Sequence, residues 1–340
     1  MLLCGVQVLG ASVAAVFAAW LALWQVRSVE PAKPVPMTLE VSGTTRLLVL
    51  APHPDDEALG AAGLIARVAN RGGAVHVVLL TSGDGFPEAV EATEGVKNPK
   101  PSDYRNFGVL RERETRTAMT LLGVRPGAIS FLGFPDGGLC VIASRYLFDK
   151  RRAFESPYTD RTSPPPTEQV VRGVRYRGID VRRELENIIA DYNPTLIVLP
   201  HSEDEHPDHC STHIFAREAL NEVRRRRISN PRVLHYLIHY GQWPLESDAR
   251  SSTAFRPPTA FPAADGQWAV LFLTPAETEL KRRAILSYSS QTQVIGRFMQ
   301  AFARDTELYI EGEPTSPPEC WCDGQNVATE VSPERYRRKP

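Results

Sequence analysis

Two short segments concentrate the side chains that bind metals and move protons. Residues 51–57 read Ala-Pro-His-Pro-Asp-Asp-Glu, and residues 206–209 read His-Pro-Asp-His. Apolar runs at 46–51 and 194–200 precede these segments and predict buried strands. Because ligands of parallel α/β sheets bind beyond the carboxyl ends of the strands, we expect both segments to form one site.

The residue order within these segments suits a hydrolase with a single metal ion. His53 and Asp56 lie three residues apart, so a tight turn into a helix can aim both at one ion while Asp55 points elsewhere. An unliganded carboxylate of this kind can take a proton from metal-bound water. His209 opens the next helix and can supply a third protein ligand, which leaves a position open for water. His206 can face the same cavity without ligating.

Two histidines and one aspartate favour zinc, although iron(II) uses the same donors and stays open as the alternative. Glu57 is either an acceptor behind the ligands or a charge in the first helical turn. Asp208 can orient a ligand or a catalytic histidine, as carboxylates around metal sites do. Residues 201–205 are interpreted as a solvated loop at the rim. The histidines interpreted as structural are His76, His213, His235 and His239.

The elements that must position these residues alternate between strands and helices. This alternation predicts an α/β fold with a Rossmann-like, mostly parallel sheet flanked by helices. Predicted strands span 46–51, 74–80, 128–132, 194–200, 232–240, 267–273 and 307–310. Predicted helices span 58–70, 110–122, 181–192, 208–227 and 274–303. Residues 86–106 are predicted to form a loop at the active-site edge, and residues about 140–176 an insertion over the site. The sequence contains no G-x-G-x-x-G or P-loop motif, so nucleotide binding is not indicated.

The two ends of the chain differ in character from its middle. Residues 2–26 carry no charged side chain and are numerous enough to cross a hydrocarbon core of ~30 Å as a helix. Trp20 and Trp24 suit the membrane interface. We predict a transmembrane anchor or signal-anchor over 1–26, a Pro-rich linker over 27–42, a catalytic domain over 43–312 and a disordered tail over 313–340.

Positive charge follows the predicted span and none precedes it. Arg27 and Lys33 lie on the side of the catalytic domain, which by the positive-inside rule places that domain in the cytoplasm. An exported signal sequence is the alternative.

The overall charge and the cysteine content limit the function classes. The net charge of −1 and the pI near 6.7 exclude bulk electrostatic attraction to nucleic acid. Five cysteines without a C-x-x-C pair indicate neither a disulfide framework nor a zinc ribbon. Cys320 and Cys322 are interpreted as incidental thiols, with a disulfide in the tail or an adventitious metal as the alternative. No sequence feature specifies an oligomeric state.

These motifs resemble those of the PIG-L/LmbE family of zinc-dependent N-acetylglucosaminyl deacetylases. The first motif differs from the usual family form in that Pro52 stands before the histidine. Further matches are Thr-Ser-Gly-Asp at 81–84, the helix with Arg111 and Glu114, Phe-Leu-Gly-Phe-Pro-Asp-Gly at 131–137, and the stretch 281–291. The resemblance covers residues from about 45 to 310.

The resemblance implies a role for each residue that matches a family motif. His53, Asp56 and His209 would bind zinc, and Asp55 would be the general base. His206 would stabilise the tetrahedral oxyanion and assist the leaving amine.

Three further residues match family positions. Asp208 would tune His206 or His209, and Arg111 and Asp136 would contact the sugar. The implied activity is removal of the N-acetyl group from a substrate that contains N-acetylglucosamine, by metal-activated water. The alternatives are an amidase for another N-acyl conjugate, or a catalytically inactive glycan-binding protein. A metallophosphatase is disfavoured because the sequence contains no second carboxylate cluster for a two-metal site.

Overall fold

A computed structural model describes residues 34–146, 149–245, 255–258, 261, 267–312 and 320. The described strands form one mixed sheet in the order β1-β7-β8-β6-β5-β2-β3-β4. These strands are β1 Val35–Pro36, β2 Arg46–Ala51, β3 Ala74–Thr81, β4 Ile129–Phe134, β5 Leu196–Pro200, β6 Arg232–Tyr236, β7 Gln267–Phe272 and β8 Thr306–Glu311.

Helices pack on both faces of this sheet. They are α1 Asp56–Asn70, α2 Pro87–Glu94, α3 Pro101–Leu121, α4 Leu139–Arg145, α5 Gly178–Tyr192, α6 Pro207–Arg225, α7 Pro275–Leu286 and α8 Ser289–Gln300. Apolar side chains of α1, α3, α7 and α8 contribute to the core on one face, and those of α4, α5 and α6 to the core on the other. The result is a three-layer α/β arrangement.

The central strands β4-β3-β2-β5-β6 are all parallel, as the sequence predicts. Strand β2 alternates between the two cores: Leu47 and Val49 enter one, and Leu48 and Leu50 enter the other. Strand β8 runs antiparallel to both β6 and β7. An apolar run without polar alternation is the pattern of a strand that is covered on both faces.

The pairing of β2 with β5 brings the two motifs together. Leu47 lies opposite Leu196 and Val49 opposite Val198 in parallel register. The chain therefore leaves both strands at the same edge of the sheet, where the two histidine-containing segments begin.

Several predicted element boundaries were wrong. Residues 86–106, predicted as a loop, contain helix α2 and the start of α3. The predicted helix 274–303 is two helices, α7 and α8. The predicted strand 232–240 ends at Tyr236, and the predicted insertion begins with helix α4. Pro87 and Pro101 stand in the first helical turn, where proline is accommodated although it indicates a break in sequence.

The interpretation of Cys320 as an incidental thiol was also wrong, and disulfides are present although the cysteine spacing indicated no disulfide framework. Cys210, in helix α6, is bonded to Cys320, with the two Cα atoms 5.6 Å apart. Cys140, in helix α4, is disulfide-bonded as well. Sequence spacing could not indicate the pairing of Cys210 with Cys320 because the two residues are 110 positions apart.

The predicted membrane span over 1–26 lies outside the described residues. Among the helices that the structure describes, none is long and apolar enough to cross a membrane. Within the segment predicted as a linker, Val35–Pro36 pairs in parallel with β7.

Candidate active site

The turn after β2 positions three side chains of the first motif. The carbonyl of Pro52 accepts hydrogen bonds from the backbone N–H and the hydroxyl of Thr81, which fixes the end of the strand. Helix α1 then begins at Asp56, whose Oδ2 accepts a 2.9 Å hydrogen bond from the backbone N–H of His53. This local bond holds the side chain of Asp56 beside the ring of His53.

The three predicted ligands converge around one carboxylate oxygen. Oδ2 of Asp56 lies 3.2 Å from Nδ1 of His53 and 3.1 Å from Nε2 of His209. All three side chains are buried. Both ring nitrogens of His209 lie close to carboxylates, yet neither has a hydrogen-bond partner with good alignment. Such a convergence of nitrogen and carboxylate donors fits a divalent metal ion.

Carboxylates also lie behind both histidines. Nε2 of His53 is 3.1 Å from Oδ1 of Asp136 and 3.4 Å from Oδ2 of Asp208. Nδ1 of His209 is 3.1 Å from Oδ2 of Asp204. A metal-binding histidine usually gives its second ring nitrogen to such an acceptor, which fixes its orientation. Both the donor atoms and the carboxylates around them therefore fit a bound metal ion.

Two predictions about these carboxylates need correction. The resemblance gave His206 or His209 as the partner of Asp208, but its side chain contacts His53 and accepts from the backbone N–H groups of Gly137 and Leu139. Contact with His53, a predicted ligand, agrees with the broader expectation that Asp208 orients a ligand or a catalytic histidine. Asp204, predicted to be solvated, is only 3% exposed, and its Oδ2 accepts from the backbone N–H of Ile238 at 2.8 Å. Sequence could not indicate this burial because it comes from contact with the segment after β6.

Charge coupling within the site favours protonated histidines when no cation is bound. Burial opposes protonation of His53, but Asp136, Asp208 and Asp56 hold its pKa well above the usual value. Burial likewise opposes protonation of His209, yet Asp204 and Asp56 raise its pKa to about 9. Metal ligands must be deprotonated, so metal binding to this set would release protons.

The side chain of Asp55 is turned toward Arg111, away from the point where His53, Asp56 and His209 converge. Its backbone has φ 120°, a region that side chains other than glycine rarely adopt and that costs about 1–3 kcal/mol. Oδ2 of Asp55 lies 3.2 Å from Nη2 of Arg111, which also donates to the carbonyl of Pro54. Burial raises the pKa of Asp55 to about 7, although the charge of Arg111 opposes this. A carboxylate with a pKa near 7 is well matched to general-base catalysis at neutral pH.

The close approach of Arg111 depends on a glycine. Nη1 of Arg111 donates to the carbonyl of Gly83 at 2.7 Å. Gly83 has φ +61°, and a Cβ there would lie 2.1 Å from Nη1 of Arg111. The Thr-Ser-Gly-Asp segment after β3 therefore holds the guanidinium against Asp55.

Glu57 is an acceptor behind the site rather than a simple helix-terminus charge. It is fully buried, and its Oε2 accepts a 3.1 Å hydrogen bond from the backbone N–H of Asp55. Its other oxygen accepts from the hydroxyl of Tyr288. Burial raises the pKa of Glu57 to about 8. Glu57, held in place by Tyr288, therefore supports the unusual backbone conformation of Asp55.

His206 caps helix α6 and keeps a defined tautomer. Its Nδ1 accepts from the backbone N–H of Asp208 at 3.2 Å, so the proton of the neutral ring is on Nε2. Burial and the neighbouring histidines lower the pKa of His206 well below its usual value. The ring centroid lies 4.7 Å from that of His53 and 4.9 Å from that of His209. A half-buried N–H donor therefore stands next to the ligand set.

A further histidine, His239, was missed in the sequence. Its donor atom and those of Asp56 and His209 all lie within 4.8 Å of one another. The predicted strand 232–240 placed His239 inside the sheet, whereas the strand ends at Tyr236 and His239 lies beyond it. Placement beyond the carboxyl end of a parallel strand is the signal that a more accurate strand boundary would have provided.

The two predicted sugar contacts lie within the site but face other residues. Arg111 contacts Asp55, and Asp136 contacts His53 and accepts from the backbone N–H of Gly85 at 2.7 Å. Their contact with a sugar stays a prediction.

Comparison with known proteins identifies a family. The family model described as GlcNAc-PI de-N-acetylase, PIG-L, matches residues 48–220, just over half of the 340-residue chain. The matched range includes every predicted ligand and both motifs.

Curated relatives match the same part of the chain. A protein from Corynebacterium glutamicum (strain R), described as 1D-myo-inositol 2-acetamido-2-deoxy-alpha-D-glucopyranoside deacetylase, is 27% identical over 54% of this chain and 56% of its own length. A probable N-acetyl-alpha-D-glucosaminyl L-malate deacetylase 2 from Bacillus anthracis is 25% identical over 52% of this chain and 60% of its own length. The chain thus spans about half the length of the curated relatives it matches.

Solved structures share the fold at low sequence identity. The zinc-inhibited form of teicoplanin deacetylase Orf2 has a TM-score of 0.52 and 20% identity over 80% of this chain and all of its own. GalB, a 4-carboxy-2-hydroxymuconate hydratase from Pseudomonas putida KT2440, has a TM-score of 0.50 and 16% identity over 81% of this chain and 97% of its own. Since one fold serves both reactions, the reaction must be argued from the site. By the match of its family model, and in agreement with the resemblance of its motifs, the chain belongs to the PIG-L family.

Proposed function

We propose that this domain removes the N-acetyl group from a substrate that contains N-acetylglucosamine. The observation that carries the proposal is the separation of roles within the first motif. Asp56 lies between two histidine nitrogens, at 3.2 and 3.1 Å, while the neighbouring Asp55 is turned away toward Arg111. A hydrolytic metal site needs both a ligand set with an open position and a free carboxylate.

His53, Asp56 and His209, whose donor atoms meet at Oδ2 of Asp56, would hold the ion. Zinc is proposed, and iron(II), which binds the same donor types, is the alternative. When bound, such an ion acidifies a coordinated water and polarises the substrate carbonyl. The carboxylates behind the histidines would keep the two rings oriented for the ion.

The side chains of this chain would then move the protons. The oxygen of the attacking water forms a bond to the amide carbon, and Asp55 accepts one proton from this water. Asp55 then delivers this proton to the leaving nitrogen as the carbon–nitrogen bond breaks, while the Nε2–H of neutral His206 donates a hydrogen bond that stabilises the leaving group. The products are acetic acid and the free amine, and Asp55 is again ionised.

The substrate class rests on the relatives, which are described as deacetylases of an N-acetylglucosaminyl inositol and an N-acetylglucosaminyl malate. We propose an N-acetylated amino sugar for this chain, with Arg111 and Asp136 near the position of the sugar. Both curated names share the acetamido sugar and differ in the aglycone.

We also propose that residues 1–26 anchor the chain in a membrane and that the catalytic domain lies in an oxidising compartment. The flanking charges favour the cytoplasm, but Cys140, Cys210 and Cys320 are disulfide-bonded. Disulfides persist in secreted and periplasmic proteins and are rare in the cytosol. Intact cells that express the full chain can be treated with a membrane-impermeant protease. Loss of the domain from the membrane fraction is expected, and complete protection would contradict the exported location.

The deacetylase proposal is tested with the purified, zinc-loaded full chain and a panel of N-acetyl, N-propionyl and N-palmitoyl glucosamine conjugates. Mass spectrometry should detect acetate and free amine from the N-acetyl sugars. Asp55→Ala should abolish turnover while it retains zinc. Faster release of another acyl group would favour the amidase alternative, and binding of a glycan without release would favour the inactive glycan-binding protein.

A further inference from the structure

His239 lies near a different pair of the predicted ligands than His206 does. The donor atom of His239 groups with Asp56 and His209, whereas that of His206 groups with His53 and His209. The ring centroid of His239 lies 4.9 Å from that of His209 and 5.2 Å from that of His206. Two imidazoles, of His206 and His239, therefore lie next to the predicted ligands.

Two hydrogen bonds fix the backbone of His239. Its backbone N–H donates to Oδ2 of Asp204 at 3.1 Å, and its carbonyl accepts from the backbone N–H of Glu205 at 2.8 Å. Asp204 also contacts Nδ1 of His209 at 3.1 Å. One carboxylate thus sets the position of a predicted metal ligand and of His239 together.

The ring itself is held by stacking. The ring of Phe298, in helix α8, lies nearly parallel to that of His239, with the centroids 5.4 Å apart and an angle of 18° between the planes. Phe298 is only 1% exposed and packs in the main core, so it cannot easily move away. A hydrogen-bond donor whose position is fixed before the reaction stabilises developing charge without rearrangement of the site.

We propose that His239 is a catalytic residue that donates a hydrogen bond to the acyl carbonyl oxygen as this oxygen gains negative charge. This assignment rests on the proposed deacetylase function and gives each of two imidazoles a separate role. His239 serves the carbonyl oxygen, and His206 serves the leaving nitrogen. A fourth protein ligand would instead fill the position that a catalytic zinc site keeps open.

The test compares His239→Gln with wild type for turnover and for metal binding. We expect kcat to fall about 10²–10³-fold, which is typical for loss of one oxyanion donor, with KM little changed. Zinc affinity, measured by competition with a chromogenic chelator, should stay within threefold of wild type. His76→Gln is the matched control, because His76 lies on β3 and bonds to Ser130, and it should preserve both properties.

The roles of the two imidazoles separate when the leaving amine is varied. With anilide substrates of increasing leaving-group acidity, the defect of a His206→Ala variant should shrink, because an acidic amine needs less protonation. The defect of His239→Gln should stay constant along the series. Phe298→Leu, which removes the stacking partner, should lower kcat less than His239→Gln does and leave zinc affinity unchanged.

Four outcomes would overturn the proposal, the last of them together with the deacetylase function. A tenfold or larger loss of zinc affinity in His239→Gln would show that His239 is a metal ligand. A kcat equal to that of wild type would show that it has no part in catalysis. A defect that shrinks with leaving-group acidity would assign it the role of acid. Absence of acyl release by the wild type from every substrate would instead refute the deacetylase function, and the assignment of His239 with it.

Discussion

Arg111 and Asp55 form a buried pair, with Nη2 of the guanidinium 3.2 Å from Oδ2 of the carboxylate. Both side chains are less than 10% exposed. Burial raises the pKa of Asp55, and the charge of Arg111 is the main influence that lowers it. The pair therefore sets the pH at which the proposed base becomes available.

Replacement of Arg111 should shift the pH profile of the enzyme. In Arg111→Gln the pKa of Asp55 rises further, because burial is no longer opposed by the guanidinium. Activity requires ionised Asp55, so it is lost as pH falls through this pKa, and the acid limb of kcat/KM should move to higher pH. Arg113→Gln, an exposed substitution on the same helix, is the control. An acid limb at the same pH in both variants would show that Arg111 does not control Asp55.

Glu57 should give the metal-free protein a characteristic dependence of stability on pH. Its pKa is raised from 4.5 to about 8 by burial, so the folded chain binds more protons than the unfolded chain between these values. Stability should therefore fall as pH rises through this window, by up to about 1.4 kcal/mol per pH unit.

The Glu57→Gln variant tests this dependence. The difference in unfolding free energy between wild type and variant, from urea titrations, should change steadily from pH 5 to pH 8. Glu88→Gln, an exposed glutamate in the first turn of α2, should give a constant difference. A constant difference for Glu57→Gln would refute the raised pKa.

Asp204 should control metal affinity without touching the ion. Asp204→Asn removes the carboxylate that orients His209, and the loss of such a partner typically costs 10–100-fold in affinity. Chelator competition at neutral pH would measure the effect. Glu205→Gln changes the exposed neighbour and should bind zinc as the wild type does. Equal affinities in the two variants would contradict the role of Asp204.

The disulfide should stabilise the folded domain. It joins residues 110 positions apart, and a bond that closes a long loop contributes about 2–5 kcal/mol. Cys320→Ser should lower the unfolding free energy by this amount in urea titrations without reductant. With reductant present the two proteins should unfold alike. If the variant is as stable as wild type under oxidising conditions, the bond does not constrain the chain.

The convergence of His53, Asp56 and His209 was predictable because its signals are local or follow from strand order. The spacing of His53 and Asp56 fits one turn, and the β2–β5 pairing that brings in His209 follows from the alternation of strands and helices. Asp204 was not predictable, and His239 was predictable only with the correct end of β6, because their positions depend on how the loops after β5 and β6 pack on each other. That packing is tertiary and leaves no periodic pattern in sequence.

Asp208 links His53, a proposed metal ligand, to the segment that begins helix α4. Its two oxygens accept from the backbone N–H groups of Gly137 and Leu139, and one of them also approaches His53. A change in that segment would therefore also disturb the orientation of His53. Under the proposed function, a change of substrate range made in this segment would also weaken ion binding. Efforts to redirect specificity would best leave residues 137–139 intact and vary the chain farther along the insertion.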